Sequence, residues 1–127
     1  MLLREAARVR VEGDLFHGRV PAGAVYAGRP APGLPGSPWA NPFKPGKRTP
    51  ASVALGGEMW LIDPLLVGGW PPGRSAARDW YRVLVARCGL EARIVAELAG
   101  QDIACWCPAD EPCHVDVLVD IANGWQS

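Results

Sequence analysis

The residues best suited to chemistry lie within one short segment of the chain. Cys105, Cys107 and Cys113 fall within nine residues, and His114 follows directly. Thiolate and imidazole are the usual ligands of zinc, and a Cys-x-Cys pair on a strand points both thiols to the same face. Cys113 and His114, however, would project about 100° apart at the start of a helix. This geometry weakens a strict four-ligand site, whereas a three-ligand site that keeps an open position would be catalytic in type.

The same segment allows two interpretations without a metal. At a helix N-terminus the dipole would stabilise the Cys113 thiolate, helped by His114 or Arg29, which predicts a nucleophile or a redox thiol. Cys113 or His114 would then act as nucleophile or general acid/base, and Asp116 would orient that side chain. Alternatively, the Cys-x-Cys pair is simply two small core residues, because free cysteine is among the most buried residue types. The residues alone leave metal binding, catalysis and burial open.

A second group of candidate residues follows a short apolar run at 24–27. Gly28 permits a close approach of the backbone, and Arg29 offers a two-pronged fork for phosphate or carboxylate. Further along, Trp39 and Asn41 alternate with prolines in a segment rich in Pro and Gly. An aromatic ring beside an amide can stack on a base and hydrogen-bond to it. The alternatives are a solvated arginine and a tryptophan that pins the loop to the core.

The elements that must position these residues follow from the apolar pattern. Three alternating or continuously apolar segments predict strands: 8–11, 24–27 and 103–107. Helical spacing of apolar residues predicts three helices: 75–88 with Ser75 as its cap, 90–98 and 113–122. Within 51–73 we expect a short helix that ends near Pro64 and packs on the core. The alternative for that stretch is a partner surface, for instance in a homodimer.

The order of strands, loops and helices is typical of an α/β layered domain. We therefore expect one domain over residues 1–127: a small Rossmann-like domain whose short sheet is flanked by helices and joined by long loops rich in Pro and Gly. Ligands of open α/β sheets bind outside the carboxyl ends of the strands. The loops that begin at Gly28 and Cys107 both leave such ends, so we expect them to face each other.

Length, charge and apolar content limit the classes of function. The chain of 127 residues is long enough for one domain with a core. Its 13 Lys and Arg balance 13 Asp and Glu, which argues against binding of extended nucleic acid but not of a single nucleotide. No apolar stretch reaches the ~20 residues of a membrane span, and the first residues lack the features of a signal peptide. We expect a cytoplasmic protein with reduced cysteines and no membrane partner.

Three motifs occur in the following order: Gly28-Arg29-Pro30, Trp39-Ala40-Asn41-Pro42-Phe43, and Cys105-Trp106-Cys107 followed by Pro112-Cys113-His114. Over residues 24–123 this combination resembles an uncharacterised bacterial and phage family, domain-of-unknown-function family 4326. Ala40 stands where that family usually has Gly, and residues 50–73 look like an enlarged connection. The resemblance brings no established activity. It implies that ten residues occupy the family's motif positions: Gly28, Arg29, Trp39, Asn41, Pro42, Cys105, Cys107, Cys113, His114 and Asp116.

The function predicted from these observations is binding of a nucleotide- or nucleoside-derived ligand at the strand ends, with hydrolase or transferase activity as an extension. Arg29, which directly follows Gly28, and the N-terminus of the last helix would hold an anionic group. Trp39 or Trp106 would stack on the ligand, and Asn41 would read a polar edge. The alternative function is metal binding, in which zinc or an iron–sulfur cluster is held by four residues: Cys105, Cys107, Cys113 and His114.

Overall fold

The computed structural model describes residues 4–14, 16–62 and 69–124. These ranges contain five strands: β1 (Ala7–Arg10), β2 (Ala24–Tyr26), β3 (Ser52–Leu55), β4 (Glu58–Leu61) and β5 (Asp102–Cys105). They also contain three helices: α1 (Arg74–Cys88), α2 (Glu91–Leu98) and α3 (His114–Ala122). The α/β class expected from the sequence is confirmed. Among the described residues, no helix combines the length and the apolar character needed to cross a membrane.

The main sheet is parallel, with β5 at its centre between β1 and β2. Both outer strands share one register with β5, because Ala7 and Ala24 each pair with Asp102. All three carboxyl ends therefore meet at one edge of the sheet. The last three residues of β5 are buried, as is typical of a central parallel strand. This strand ends at Cys105, so the predicted strand 103–107 is two residues too long, and its last two residues lie in the following loop.

The three predicted helices are confirmed, with one correction at a cap. α1 begins at Arg74 after Gly73, and no side chain caps it. The predicted cap Ser75 lies inside the first turn, where its hydroxyl accepts a hydrogen bond from Arg78 Nη2 at 3.4 Å. The other end of α1 is closed by Gly89, whose φ of 65° lies in the left-handed region that glycine adopts readily.

Helix α3 joins the sheet to the other two helices. It contacts β1 and β5 and also α1 and α2. Its apolar residues Val115, Leu118 and Ile121 recur at helical spacing and are no more than 2% exposed. Burial of this face holds the first residues of α3 close to the carboxyl edge of the sheet.

Residues 52–61 form a β-hairpin, so the helix predicted in this stretch is wrong. β3 and β4 pair antiparallel across a loop of Gly56 and Gly57, whose φ angles are 66° and 83°. A two-residue loop with both φ angles positive matches the twist of a hairpin, and glycine enters it without steric cost. Pro64 lies outside the described residues. Met59 on this hairpin is 66% exposed, and the homodimer surface stays a prediction.

The segment rich in Pro and Gly is pinned to the helices by Trp39. The Trp39 side chain is 2% exposed, and its Nε1 donates to Glu97 Oε1 at 3.3 Å. The Arg93 guanidinium lies 5.3 Å from the centroid of the Trp39 ring. The Trp39 carbonyl accepts a hydrogen bond from the Tyr81 hydroxyl at 2.8 Å. These contacts match the interpretation in which the tryptophan anchors the loop to the core.

Truncation of Trp39 tests this anchoring. We expect Trp39→Ala to lower the free energy of unfolding by about 3–5 kcal/mol, because it leaves a large space between the loop and the helices. Trp70→Ala is the matched control, since Trp70 is 54% exposed, and it should change stability by less than about 0.5 kcal/mol. Urea denaturation measures both values. Equal losses in the two variants would contradict the anchoring role.

Candidate functional site

A cavity of about 420 Å³ lies at the carboxyl ends of β2 and β5. Its wall includes Gly28 and Arg29 from the loop after β2, and Cys107 and Pro112 from the loop after β5. The two loops therefore face each other, as the parallel order of the strands predicts. Further parts of the wall come from α1 and from the segment rich in Pro and Gly, through Ala77 and Phe43 respectively.

Three thiols meet at one side of this cavity. The Sγ atoms of Cys105, Cys107 and Cys113 all lie within 4.8 Å of one another, and those of Cys105 and Cys113 are 3.4 Å apart. Cys105 is the last residue of β5 and Cys113 directly precedes α3, so the packing of α3 against β5 brings them together. Both are buried, whereas Cys107 in the loop is half-buried. We call these three residues the three-thiol cluster.

His114 does not belong to the three-thiol cluster. Its Nε2 lies 2.7 Å from the carbonyl oxygen of Ala27, and a carbonyl only accepts, so Nε2 carries the proton. Burial lowers the pKa of His114 and favours the neutral ring. Nδ1 is then an acceptor, and it lies 3.7 Å from the Sγ of Cys113. The side chain that the sequence predicted as a fourth ligand is therefore oriented by the backbone of the loop after β2.

Asp116 organises the start of α3. Its Oδ2 accepts a hydrogen bond from the backbone N–H of Cys113 at 3.1 Å, which satisfies an amide that the helix leaves free. Its Oδ1 accepts a hydrogen bond from Arg8 Nη1 at 2.9 Å. Neither oxygen bonds to His114, so the orienting role predicted for Asp116 falls to the Ala27 carbonyl.

Arg8 holds the loop between β5 and α3, and sequence reasoning missed it. Besides its bond to Asp116, its Nη1 donates to the carbonyl of Glu111 at 2.9 Å, and its Nη2 donates to the carbonyl of Pro108. The Arg8 side chain is only 14% exposed. The available signal was an arginine inside a short strand, since a charged side chain in a buried position needs partners.

Hydrogen bonding within the three-thiol cluster shifts the pKa values of its members in opposite directions. Hydrogen bonds with Cys105 and Cys113, followed by the positive charge of Arg74, lower the pKa of Cys107. The hydrogen bond with Cys107 raises the pKa of Cys105, and the hydrogen bonds with Cys105 and Cys107 raise the pKa of Cys113, because one thiolate is stabilised by donors that must keep their protons. Cys107 is therefore the first of the three to ionise, whereas the sequence singled out Cys113.

Arg29 and Arg74 bring positive charge to the cavity. Arg29 donates from Nε and Nη2 to the carbonyl of Asn41 at 3.2 and 3.0 Å, and from Nη2 to the carbonyl of Phe43 at 3.2 Å. These bonds fix the guanidinium plane and leave Nη1 for a ligand. Arg74 Nε forms an ion pair with Glu111 Oε2 at 2.8 Å. Among the described residues that line the cavity, none is Asp or Glu.

Gly28 and Trp106 are linked through Tyr26. The indole Nε1 of Trp106 donates to the Tyr26 hydroxyl at 2.9 Å, and that hydroxyl donates to the carbonyl of Arg29 at 2.5 Å. A Cβ at position 28 would lie 2.5 Å from the Tyr26 hydroxyl oxygen, so only glycine leaves room for this ring. Gly28 thus shapes the cavity by admitting Tyr26, while Trp106 lines the wall directly.

The side chains of Asn41 and Trp39 have structural roles at this site. Asn41 lies in the cavity wall, but its Nδ2 donates to the carbonyl of Ala77 at 3.3 Å and its Oδ1 accepts from the Phe43 N–H at 2.9 Å. The Asn41 amide would have to break these bonds before it could read a ligand. Trp39 does not line the cavity, because its ring is buried beside α2.

Replacement of Arg8 tests how the loop is held. We expect Arg8→Ala to cost about 1–3 kcal/mol of unfolding free energy, because Asp116 and two loop carbonyls lose their donor. Amides of residues 108–113 should also exchange hydrogen faster. Arg10→Ala is the matched control, since Arg10 lies on the same strand and is exposed. If both variants behave alike in urea denaturation and hydrogen exchange, Arg8 does not hold the loop.

One family matches most of the chain. The family described as "Domain of unknown function (DUF4326)" covers residues 15–124. This range contains both loops of the cavity and the whole three-thiol cluster. No curated protein and no solved structure matches the chain. Since the match spans well over half of the 127 residues, the chain belongs to the domain-of-unknown-function family DUF4326.

Proposed function

We propose that this domain binds a nucleotide- or nucleoside-derived ligand in the cavity at the carboxyl ends of β2 and β5. The observation that carries the proposal is the charge of the wall. Arg29 lines it and is held by neutral backbone carbonyls, Arg74 lines it with Glu111 as its ion-pair partner, and no Asp or Glu lies in the wall among its described residues. Such an imbalance attracts an anionic group such as a phosphate. The volume of about 420 Å³ also falls in the range of small-molecule sites.

Arg29 and the start of α3 would hold the anionic group. The guanidinium of Arg29 is oriented by two backbone carbonyls, so little freedom is lost when a ligand binds to its remaining nitrogen. The N-terminus of α3 adjoins the same cavity through Cys113 and His114, and its helix dipole adds partial positive charge, while the Cys113 N–H itself is bonded to Asp116. The two sources of positive charge come from opposite loops of the cavity.

Trp106 is the ring best placed to stack on a base or a ribose. It lines the cavity, is half-buried, and is held by its hydrogen bond to Tyr26. Phe43 also lines the wall but is 1% exposed and packs edge-to-face on Trp80 with centroids 5.6 Å apart. A fixed aromatic face beside a cationic group fits a ligand with one planar and one anionic part.

Titration with defined probes tests the proposal. The probes are AMP, UMP, their nucleosides and inorganic phosphate, added to the ¹⁵N-labelled chain while amide shifts are recorded. We expect a nucleoside monophosphate to shift the amides of Arg29, Trp106 and Cys107. It should bind more tightly than its nucleoside or phosphate alone, because it uses both the ring and the cationic group. The absence of cavity shifts with every probe would refute the proposal.

Arginine variants locate the anionic group. We expect Arg29→Ala to lower the affinity for the monophosphate at least about tenfold, the loss of one charge-assisted contact. Arg74→Ala should lower it as well, and this variant leaves the bonds that hold Asn41 and Phe43 intact. Arg19→Ala is the control, because Arg19 is exposed and pairs with Glu12 at 2.7 Å. Unchanged affinity in both cavity variants would contradict the assignment.

A further inference from the structure

The three-thiol cluster has the dimensions of a metal site. Four-coordinate zinc holds thiolates at about 2.3 Å, which places tetrahedral sulfur pairs about 3.8 Å apart. In the structure, one sulfur pair is 3.4 Å apart, and all three sulfurs lie within 4.8 Å of one another. One ion could therefore contact Cys105, Cys107 and Cys113 after shifts smaller than a bond length.

The access to the cluster and the contacts around it fit a metal site better than plain packing. Cys105 and Cys113 are buried and Cys107 is half-buried, but all three line the cavity and are not sealed inside the core. The strand end and the helix start that carry the buried sulfurs are held by buried or capping contacts, chiefly those of Arg8 and Asp116. A site held in this way resembles the supporting shell that orients metal ligands.

We infer that Cys105, Cys107 and Cys113 bind one zinc ion whose fourth position is open to the cavity. Thiolate donors select zinc among the common divalent cations. His114 stays outside the ligand set, because its Nδ1, the ring nitrogen that carries no proton, is not within reach of all three sulfurs. Three protein ligands and an open position are the arrangement of catalytic rather than structural zinc. This inference goes beyond the ligand-binding proposal and stands without it.

The zinc content of the purified chain tests the proposed site directly. We expect the reduced full-length chain to bind about one zinc ion, quantified by native mass spectrometry and by competition with a chromophoric chelator. Cys107→Ala should weaken zinc binding more than the about 10–100-fold that loss of a supporting residue costs. Cys88→Ala is the matched control, since Cys88 is a free thiol on α1 outside the cluster. No zinc binding by the reduced chain, with four titratable thiols, would overturn the inference.

Spectroscopy of the native chain decides the ligand set without any variant. Cobalt substituted for zinc should show thiolate charge-transfer and tetrahedral d–d absorption. X-ray absorption of the zinc form should show three sulfur neighbours and one oxygen. An imidazole in place of that oxygen would overturn the open position. A disulfide between Cys105 and Cys113 in chain purified with reductant, and no metal, would overturn the site altogether.

The ligand-binding proposal and the zinc proposal can be contradicted independently of each other. Phosphate and monophosphate titrations with metal-free chain report on the arginines, while metal titrations without nucleotide report on the thiols. Loss of zinc in Cys107→Ala, with zinc retained in Cys88→Ala, would support the zinc site, and monophosphate binding by the metal-free native chain would support the ligand proposal independently. Equal zinc affinity in Cys107→Ala and Cys88→Ala would overturn the zinc site and leave the ligand proposal standing.

Discussion

The whole site depends on the contact between the end of β5 and the start of α3. Arg8 reaches from β1 across that junction, and its guanidinium bonds to two loop carbonyls and to Asp116. Asp116 in turn accepts the N–H of Cys113, so strand, loop and helix are joined by one chain of hydrogen bonds. A guanidinium suits this place because its five donors lie in a fixed plane and its charge is never lost. Without the junction, the sulfur of Cys113 would have no fixed relation to that of Cys105.

Burial and charge act on opposite sides of the same cavity. One side presents three sulfurs, which gain from becoming thiolates only when positive charge is near. The other side presents Arg29, fixed by carbonyls of the loop that Trp39 anchors to α2. The anchoring of that loop is therefore a condition for the electrostatics of the cavity. Core packing and chemistry are thus linked through the backbone rather than through direct side-chain contact.

Much of the fold could be predicted because its signals are local. The helical spacing of Val115 and Leu118 identifies α3, and a parallel sheet necessarily brings the loops after its strands to one edge. The hairpin was missed because the run from Met59 through Leu61 is short and apolar, which fits either period. The neighbouring Gly56-Gly57 pair was the decisive signal, since a helix has no use for two positive φ angles.

The parts of the site that escaped prediction depend on partners distant in sequence. Arg8 bonds to residues 100 or more positions away, so no local pattern reveals its role. The hydrogen bonds from the Asn41 amide to Ala77 and from His114 to Ala27 likewise depend on where the tertiary structure places α1 and β2. The residue types indicated that these side chains were polar and could bind a ligand. Only the packed structure shows that most of their hydrogen bonds serve the protein itself.

The charges of the cavity connect its two proposed occupants. One divalent zinc ion with three thiolates carries a net charge of about −1, whereas Arg29 and the Arg74–Glu111 ion pair together bring a net charge of about +1 to the same cavity. An anion that bound the arginines and filled the open position on zinc would satisfy both. Thermodynamic linkage then requires that zinc raise the affinity for the anion by the same factor by which the anion raises the affinity for zinc. If instead the two occupants bind without coupling, the anion sits on the arginines alone and the fourth position on zinc is left to water.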